Sequence, residues 1–246
     1  MESTVMLPTY HSLDLPRPPD GRPYVLLNMV MSLDGKAAVG RDERGKGSKA
    51  DQRLMRELRT NADLVLSGAG TLRATGVSPR LGSVELEGLR ESRGKPRLPT
   101  SVVLTRTGNL PFERPFFTAN DFDAIVYVAD SAPKGTVEAI VSAGRPAMLL
   151  PREGAISWML AHMRYELGAD VLLVEGGPDV NAQLFELDVI DEFFLTLAPL
   201  VIGGRETITP VEGLPLAPAE LPNFSIVASA VNEETNEVYL RYRRSR

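Results

Sequence analysis

Six short apolar runs punctuate the chain: YVLLNMVM from Tyr24, ADLVLSG from Ala62, SVVLT from Ser101, DAIVYVA from Asp123, PAMLL from Pro146 and DVLLVE from Asp170. Runs of this length, apolar at successive positions, suit strands buried on both faces of a sheet. Helical patterns lie between several of them. One is expected from about Ala50 to Thr60, where Ser48 followed by Asp51 makes a capping box and Leu54, Met55 and Leu58 form an apolar stripe. Others fall near 134–143 and 154–167, and Pro178 suits the first turn of one more. This alternation predicts an α/β fold, a single three-layer domain with a mostly parallel central sheet. DEFFLTLAPLVI, a Pro/Gly-rich loop to about 223, and the runs FSIVASAV and EVYLRYR add antiparallel C-terminal strands. Residues 76–100, with LEGLRESRGKPRLP, read as an exposed loop, and no clear helix is expected after Gly70. Residues 1–22, with Pro8, Pro16, Pro18 and Pro19, read as an extended arm before a domain spanning 23–246.

The composition narrows the chemistry. A net charge of -5 with no like-charge run lacks the footprint of a nucleic-acid binder. No apolar run is long enough to cross a bilayer, and no basic region leads into one at the start, so a cytoplasmic location is expected. Without cysteine there are no disulfides, thiolate nucleophiles or cysteine zinc sites. The only histidines are His11 and His162, too few for a triad or a histidine-rich metal centre, and no metal is expected. The chemistry must then come from a bound cofactor, or from Asp, Glu, Lys, Arg and backbone groups.

Two glycine turns stand where open α/β sheets bind ligands, beyond the carboxyl ends of buried strands. SGAGT brings Gly68, Gly70 and the Thr71 hydroxyl; EGGPD brings Gly176 and Gly177 ahead of Pro178. Gly68 and Gly70 begin like a G-x-G-x-x-G fingerprint, but Arg73 stands where the third glycine should, so SGAGT is not that fingerprint. A third element, MSLDGKAA, puts Asp34 and Lys36 just past the first strand. A hydrogen-bonded turn and a catalytic role are both open for it.

In order, YVLLNMVMSLDGKAA, LMRELRTNADLVLSGAGTLRA and LLVEGGPDVNAQLFELDVIDEFFLTLAPLVIGG closely resemble motifs of the pyrimidine reductases of riboflavin biosynthesis, from roughly Pro23 to Arg243. The resemblance implies a dihydrofolate-reductase-like fold and a homodimer, with DEFFLTLAPLVIGG near its interface. It implies NADPH-dependent reduction of the ribosylamino group of a 5-phosphoribosylamino pyrimidine to a ribitylamino group. By motif, Val30, Thr71, Thr105, Gly176, Gly177, Pro178, Asp179 and Val180 are cofactor contacts, while Asn28, Arg59, Arg80 and Glu175 face the substrate. Arg106, by charge and position, is a candidate for the 2′-phosphate. Asp34 and Glu175 are the carboxylates expected near the reacting imine. The chain also departs from the family. Asn28 replaces the lysine of many bifunctional reductases, and RATGVSPRL replaces an Asp-Pro-x-Leu-Thr type segment, with Arg80 a loose match for a phosphate arginine. No zinc deaminase motif precedes the reductase motifs, so deamination is expected from another protein. Two further readings remain: an NADPH-dependent reductase of a pterin, dihydrofolate or another heteroaromatic, and a non-catalytic nucleotide-binding dimer module.

Overall fold

The computed structural model describes residues 7–37 and 47–246. The first six residues of the arm and Ala38 of MSLDGKAA lie outside the described residues. The elements run β1 (Tyr24–Ser32), α1 (Lys49–Arg59), β2 (Leu64–Gly68), α2 (Ala69–Thr75), α3 (Val84–Ser92), β3 (Thr100–Thr105), α4 (Pro115–Thr118) and β4 (Ala124–Val128). Then follow α5 (Thr136–Ser142), β5 (Ala147–Leu149), α6 (Ala155–Tyr165), β6 (Val171–Val174), α7 (Pro178–Glu186), β7 (Glu192–Ala198), β8 (Phe224–Val231) and β9 (Val238–Arg244).

Among the described residues, nine strands form one sheet in the order β5-β4-β3-β2-β6-β1-β7-β9-β8. All pairings up to β7 are parallel, and β9 and β8 add on antiparallel. β2 to β5 step outward on one side of β1. The chain then returns, inserts β6 between β2 and β1, and continues through α7 to β7 on the far side. The strand order therefore reverses around β6 and β1, and a crevice opens at such a point beyond the strand ends.

Apolar side chains cover both faces. On one, Val25, Leu27, Leu66, Leu172 and Val174 pack against Met159 and Met163 of α6 and Val180 and Leu184 of α7. On the other, Leu26, Val65, Leu173 and Phe194 meet Leu54 and Leu58 of α1, together with Tyr10 of the arm. The Tyr10 ring lies edge-on to Phe194 at 5.0 Å, its N–H donates to Glu57 Oε2 at 2.6 Å, and its carbonyl accepts from Asn61 Nδ2 at 2.7 Å. The arm thus lies along its own sheet.

Two helices occupy segments read as loops. α2 spans seven residues and ends at Gly76, which takes φ +80° as its cap, so it is too short to display a period. α3 starts at Ser83, whose Oγ accepts from Leu86 N at 3.3 Å, with Glu85 and Glu87 in its first turn. Its inward position is held by Arg90, fully buried, which donates to the carbonyls of Pro96, Arg59, Thr60 and Ala62. A charged residue in the buried phase hides the amphipathic pattern from a sequence reading.

Ser48 does cap α1, accepting from Ala50 N at 3.1 Å and Asp51 N at 3.2 Å. Burial pushes the Asp51 carboxyl up to about 6, a hydrogen bond from Thr196 opposes the rise, and nearby Glu237 adds to it. From about pH 4 to about pH 6 the native protein then holds a proton that the unfolded chain has released, so stability falls as pH rises through that window. Asp51→Asn should flatten this slope and stabilise the protein at neutral pH by on the order of 1–3 kcal/mol. Urea unfolding across the window checks this; an unchanged slope contradicts it.

Candidate active site

A strand at the middle of a covered sheet should be buried throughout. β1 is buried from Tyr24 to Leu27, but Asn28, Met29, Val30 and Met31 are all half-exposed. The sheet is therefore open on both faces over the C-terminal half of β1. Register sorts the side chains. Asn28 and Val30 pair with Phe194 and Thr196 on the α1 face, whereas Met29 and Met31 pair with Leu195 and Leu197 on the α7 face.

Beside this opening the two glycine turns meet. Gly68 N donates to Gly176 O at 2.9 Å, and Glu175 N donates to Leu66 O at 2.9 Å. The approach leaves no room for side chains. A Cβ on Gly68 would lie 3.1 Å from Val180 Cγ2 and 3.2 Å from Gly177 N, and one on Gly177 would lie 3.1 Å from Thr71 Oγ1. Gly176 takes φ +87°, and the Gly176–Gly177 peptide is cis. Thr71 Oγ1 is buried with no hydrogen-bond partner. α7 begins at Gly177 without a side-chain cap, so first-turn N–H groups lack side-chain acceptors. The segment after β7 completes this rim: Glu212 N donates to Pro178 O at 3.2 Å, and Asn181 Nδ2 donates to Pro210 O at 2.7 Å. Between the first turn of α7 and the segment after β7 lies an open cleft of about 490 Å³, lined by Pro178, Asp179, Arg205, Thr207 and Glu212 among others.

On the α1 face, Arg59 and Glu175 form a two-pronged ion pair, Nε to Oε1 and Nη2 to Oε2, both at 2.7 Å. Their side chains are only 10% and 11% exposed, so the pair is held out of bulk water. Arg59 Nη1 also donates to Arg80 O at 2.9 Å. Of its five N–H groups, one on Nη1 remains after these bonds and the contact with Met55 Sδ. The Arg80 guanidinium points elsewhere, paired with Asp121 at 2.7 Å and lying over the Phe122 ring. The structure brings its carbonyl to the pair. Both charges of the Arg80–Asp121 pair are well exposed, so the pair is worth about 1 kcal/mol or less.

Asp34 closes the turn after β1. Its Oδ1 accepts from Ser32 Oγ at 2.5 Å and Ile202 N at 3.1 Å, and Oδ2 from Gly203 N at 2.7 Å. The Ser32 bond, then those to the two backbone N–H groups, hold its carboxyl down at about 2. It stands as a carboxylate anchoring the segment after β7. Thr105 is buried and its Oγ1 accepts from Gly108 N at 3.0 Å, shaping the turn that carries exposed Arg106.

Sequence reasoning missed Asn181. Fully buried, it also reaches Met29 Sδ at 3.3 Å, and its Oδ1 has no partner. The available signal was an asparagine in the apolar phase of α7, beside Val180 and ahead of Leu184 and Phe185. Among the described residues, no group of three metal-ligating side chains gathers, and no helix is long and apolar enough to cross a membrane.

A mostly parallel sheet with antiparallel C-terminal strands and a glycine-lined crevice at its order reversal is the fold of dihydrofolate reductase. That enzyme from Enterococcus faecalis, complexed with NADP(H), superposes with a TM-score of 0.51 at 14% identity, covering 92% of this chain and 98% of that one. The RibD C-terminal domain model matches residues 23–229, and the chain belongs to that family. A 2,5-diamino-6-ribosylamino-4(3H)-pyrimidinone 5′-phosphate reductase of Archaeoglobus fulgidus is 28% identical over 193 residues, 78% of this chain and 87% of its own length. A pyrimidine reductase-like protein of Corynebacterium diphtheriae superposes with a TM-score of 0.81 at 18% identity, covering 91% of this chain and 92% of that one.

The unpartnered Thr71 hydroxyl has a measurable consequence. Thr71→Val removes a buried polar group that has no partner among the described residues, and should raise the free protein's stability by about 1 kcal/mol. The same change should weaken any occupant that the hydroxyl serves. A destabilised free protein would show that the hydroxyl is already satisfied.

Proposed function

We propose that this protein is an NADPH-dependent reductase that converts the ribosylamino group of a 5-phosphoribosylamino pyrimidine to ribitylamino, a step of riboflavin biosynthesis. The observation that carries the reading is the cradle of Gly68, Gly177 and Thr71, where backbone lies bare and a buried hydroxyl has no partner. Such a cradle fits a dinucleotide, which needs close backbone approach and donors for its phosphates. Thr71, Gly176, Gly177, Pro178, Asp179 and Val180 would hold its centre, Val30 would border its reactive end, and Thr105 and Arg106 would meet its adenosine end. An arginine after β3, where an acid would favour a ribose diol, supports NADPH over NADH. The names of relatives matching over most of their length support the diamino pyrimidine as substrate.

When bound, NADPH supplies the hydride. Opening of the substrate's ribosylamine, with water giving a proton to the ring oxygen, would leave a cationic imine, and the cofactor would supply hydride to its carbon. The chain's part is to orient and to stabilise that cation. Glu175 brings a carboxylate to the α1 face, and Arg59 fixes its direction through two hydrogen bonds. Asp34, held at about 2, contributes negative charge and not a proton. Asn28 offers an amide to the pyrimidine from the open half of β1, and Arg80 becomes available to a phosphate once Asp121 is displaced.

A face left uncovered among the described residues supports assembly as a homodimer. Leu195, Leu197, Val238, Leu240, Ile226 and Val231 share one face of β7, β9 and β8, and none is buried. A second copy would cover it.

Glu175→Gln should lower kcat about a hundredfold while leaving NADPH affinity nearly unchanged. Stopped-flow turnover and fluorescence titration separate the two; an equal loss of both would move Glu175 from the substrate to the cofactor. Leu240→Asp should yield a monomer by light scattering, and a dimer that persists would place the interface elsewhere.

A further inference from the structure

Arg73 is the residue that spoils the glycine fingerprint, and none of the roles above uses it. It is exposed, on the second turn of α2, and helical side chains of its length run back toward the helix start. The structure shows this course. Its Nη1 donates to Asn109 O at 2.7 Å, and its Nη2 is the nearest atom to a Cβ built on Gly70, at 3.9 Å. The guanidinium therefore bridges the first turn of α2 and the loop that leaves β3 at Thr105. That loop carries exposed Arg106. Arg114 joins from the other side, donating to Arg73 O at 3.2 Å, and among the described residues its one carboxylate neighbour is Glu113 at 4.0 Å. No carboxylate pairs with Arg73 or Arg106 among the described residues. One of the five N–H groups of Arg73 is engaged, which leaves donors in a planar fork matched to phosphate oxygens.

We infer that Arg73 is a specificity-determining residue, which with Arg106 grips the 2′-phosphate of NADPH and so discriminates against NADH. The inference rests on the NADPH reading proposed above. Two arginines joined by one loop give a dianionic phosphate charge-assisted hydrogen bonds from two directions. A ribose 2′-hydroxyl receives little from either.

The test uses the whole protein and binding alone, by calorimetric titration with NADPH, NADH, 2′,5′-ADP and 5′-AMP. The wild type is expected to bind NADPH and 2′,5′-ADP more tightly than NADH and 5′-AMP. Arg73→Gln should weaken 2′,5′-ADP and NADPH by about tenfold or more, one charged hydrogen bond's worth, and leave NADH and 5′-AMP unchanged. Arg73→Lys, which keeps the charge without the fork, should fall between. If Arg73→Gln weakens all four ligands equally, Arg73 merely holds the Asn109 loop and the inference is overturned. It is also overturned if the preference for 2′-phosphate survives Arg73→Gln intact, while the NADPH reading stands. A wild type that shows no such preference would overturn the NADPH reading, and this inference with it.

Discussion

β6 enters the sheet between β2 and β1, and the site depends on that insertion. It sets the end of DVLLVE beside the end of ADLVLSG, so that Gly68 N can reach Gly176 O at 2.9 Å and Glu175 N can reach Leu66 O. Neither glycine turn would make a ligand site alone, since either could serve only to turn the chain. Joined, they exclude side chains from a strip of backbone and leave the Thr71 hydroxyl without a partner at its edge. The same insertion carries Glu175 to the α1 face, where Arg59 meets it. One topological choice thus builds both the glycine rim and the ion pair on which the proposed function draws.

The six runs named from the sequence are β1 to β6; β2, β3, β4 and β6 are apolar because they are covered on both faces, whereas the edge strand β5 and Met29, Val30 and Met31 of β1 are apolar without being buried. The Ser48 cap and the helix opening at Pro178 were legible from local rules that need only a few residues. α3 was not, because Arg90 fills its inward position and spends its charge on main-chain carbonyls. A binary pattern reads such a residue as solvent-facing.

Within the candidate site, motif order named residues but not their partners. That Arg80 lies against Asp121, or that Arg59 is committed to Glu175, depends on contacts between residues far apart in the chain. Asp34 shows the same limit. Its place after β1 is visible in LDGK, but its hold on Ile202 and Gly203 is a long-range contact that decides its protonation. Asn181 went unnoticed because one polar residue in an apolar stripe is a weak signal until both of its ends are seen.

The central claim is that the glycine cradle and the Arg59–Glu175 pair together serve reduction of a phosphoribosylamino pyrimidine. The most direct measurement follows loss of NADPH absorbance when the purified protein is offered that pyrimidine in its diamino and deaminated forms, with dihydrofolate in parallel. Turnover with the diamino compound, and little with dihydrofolate, is the predicted result. Turnover with dihydrofolate alone, or tight NADPH binding without oxidation of it by either pyrimidine, would contradict the account.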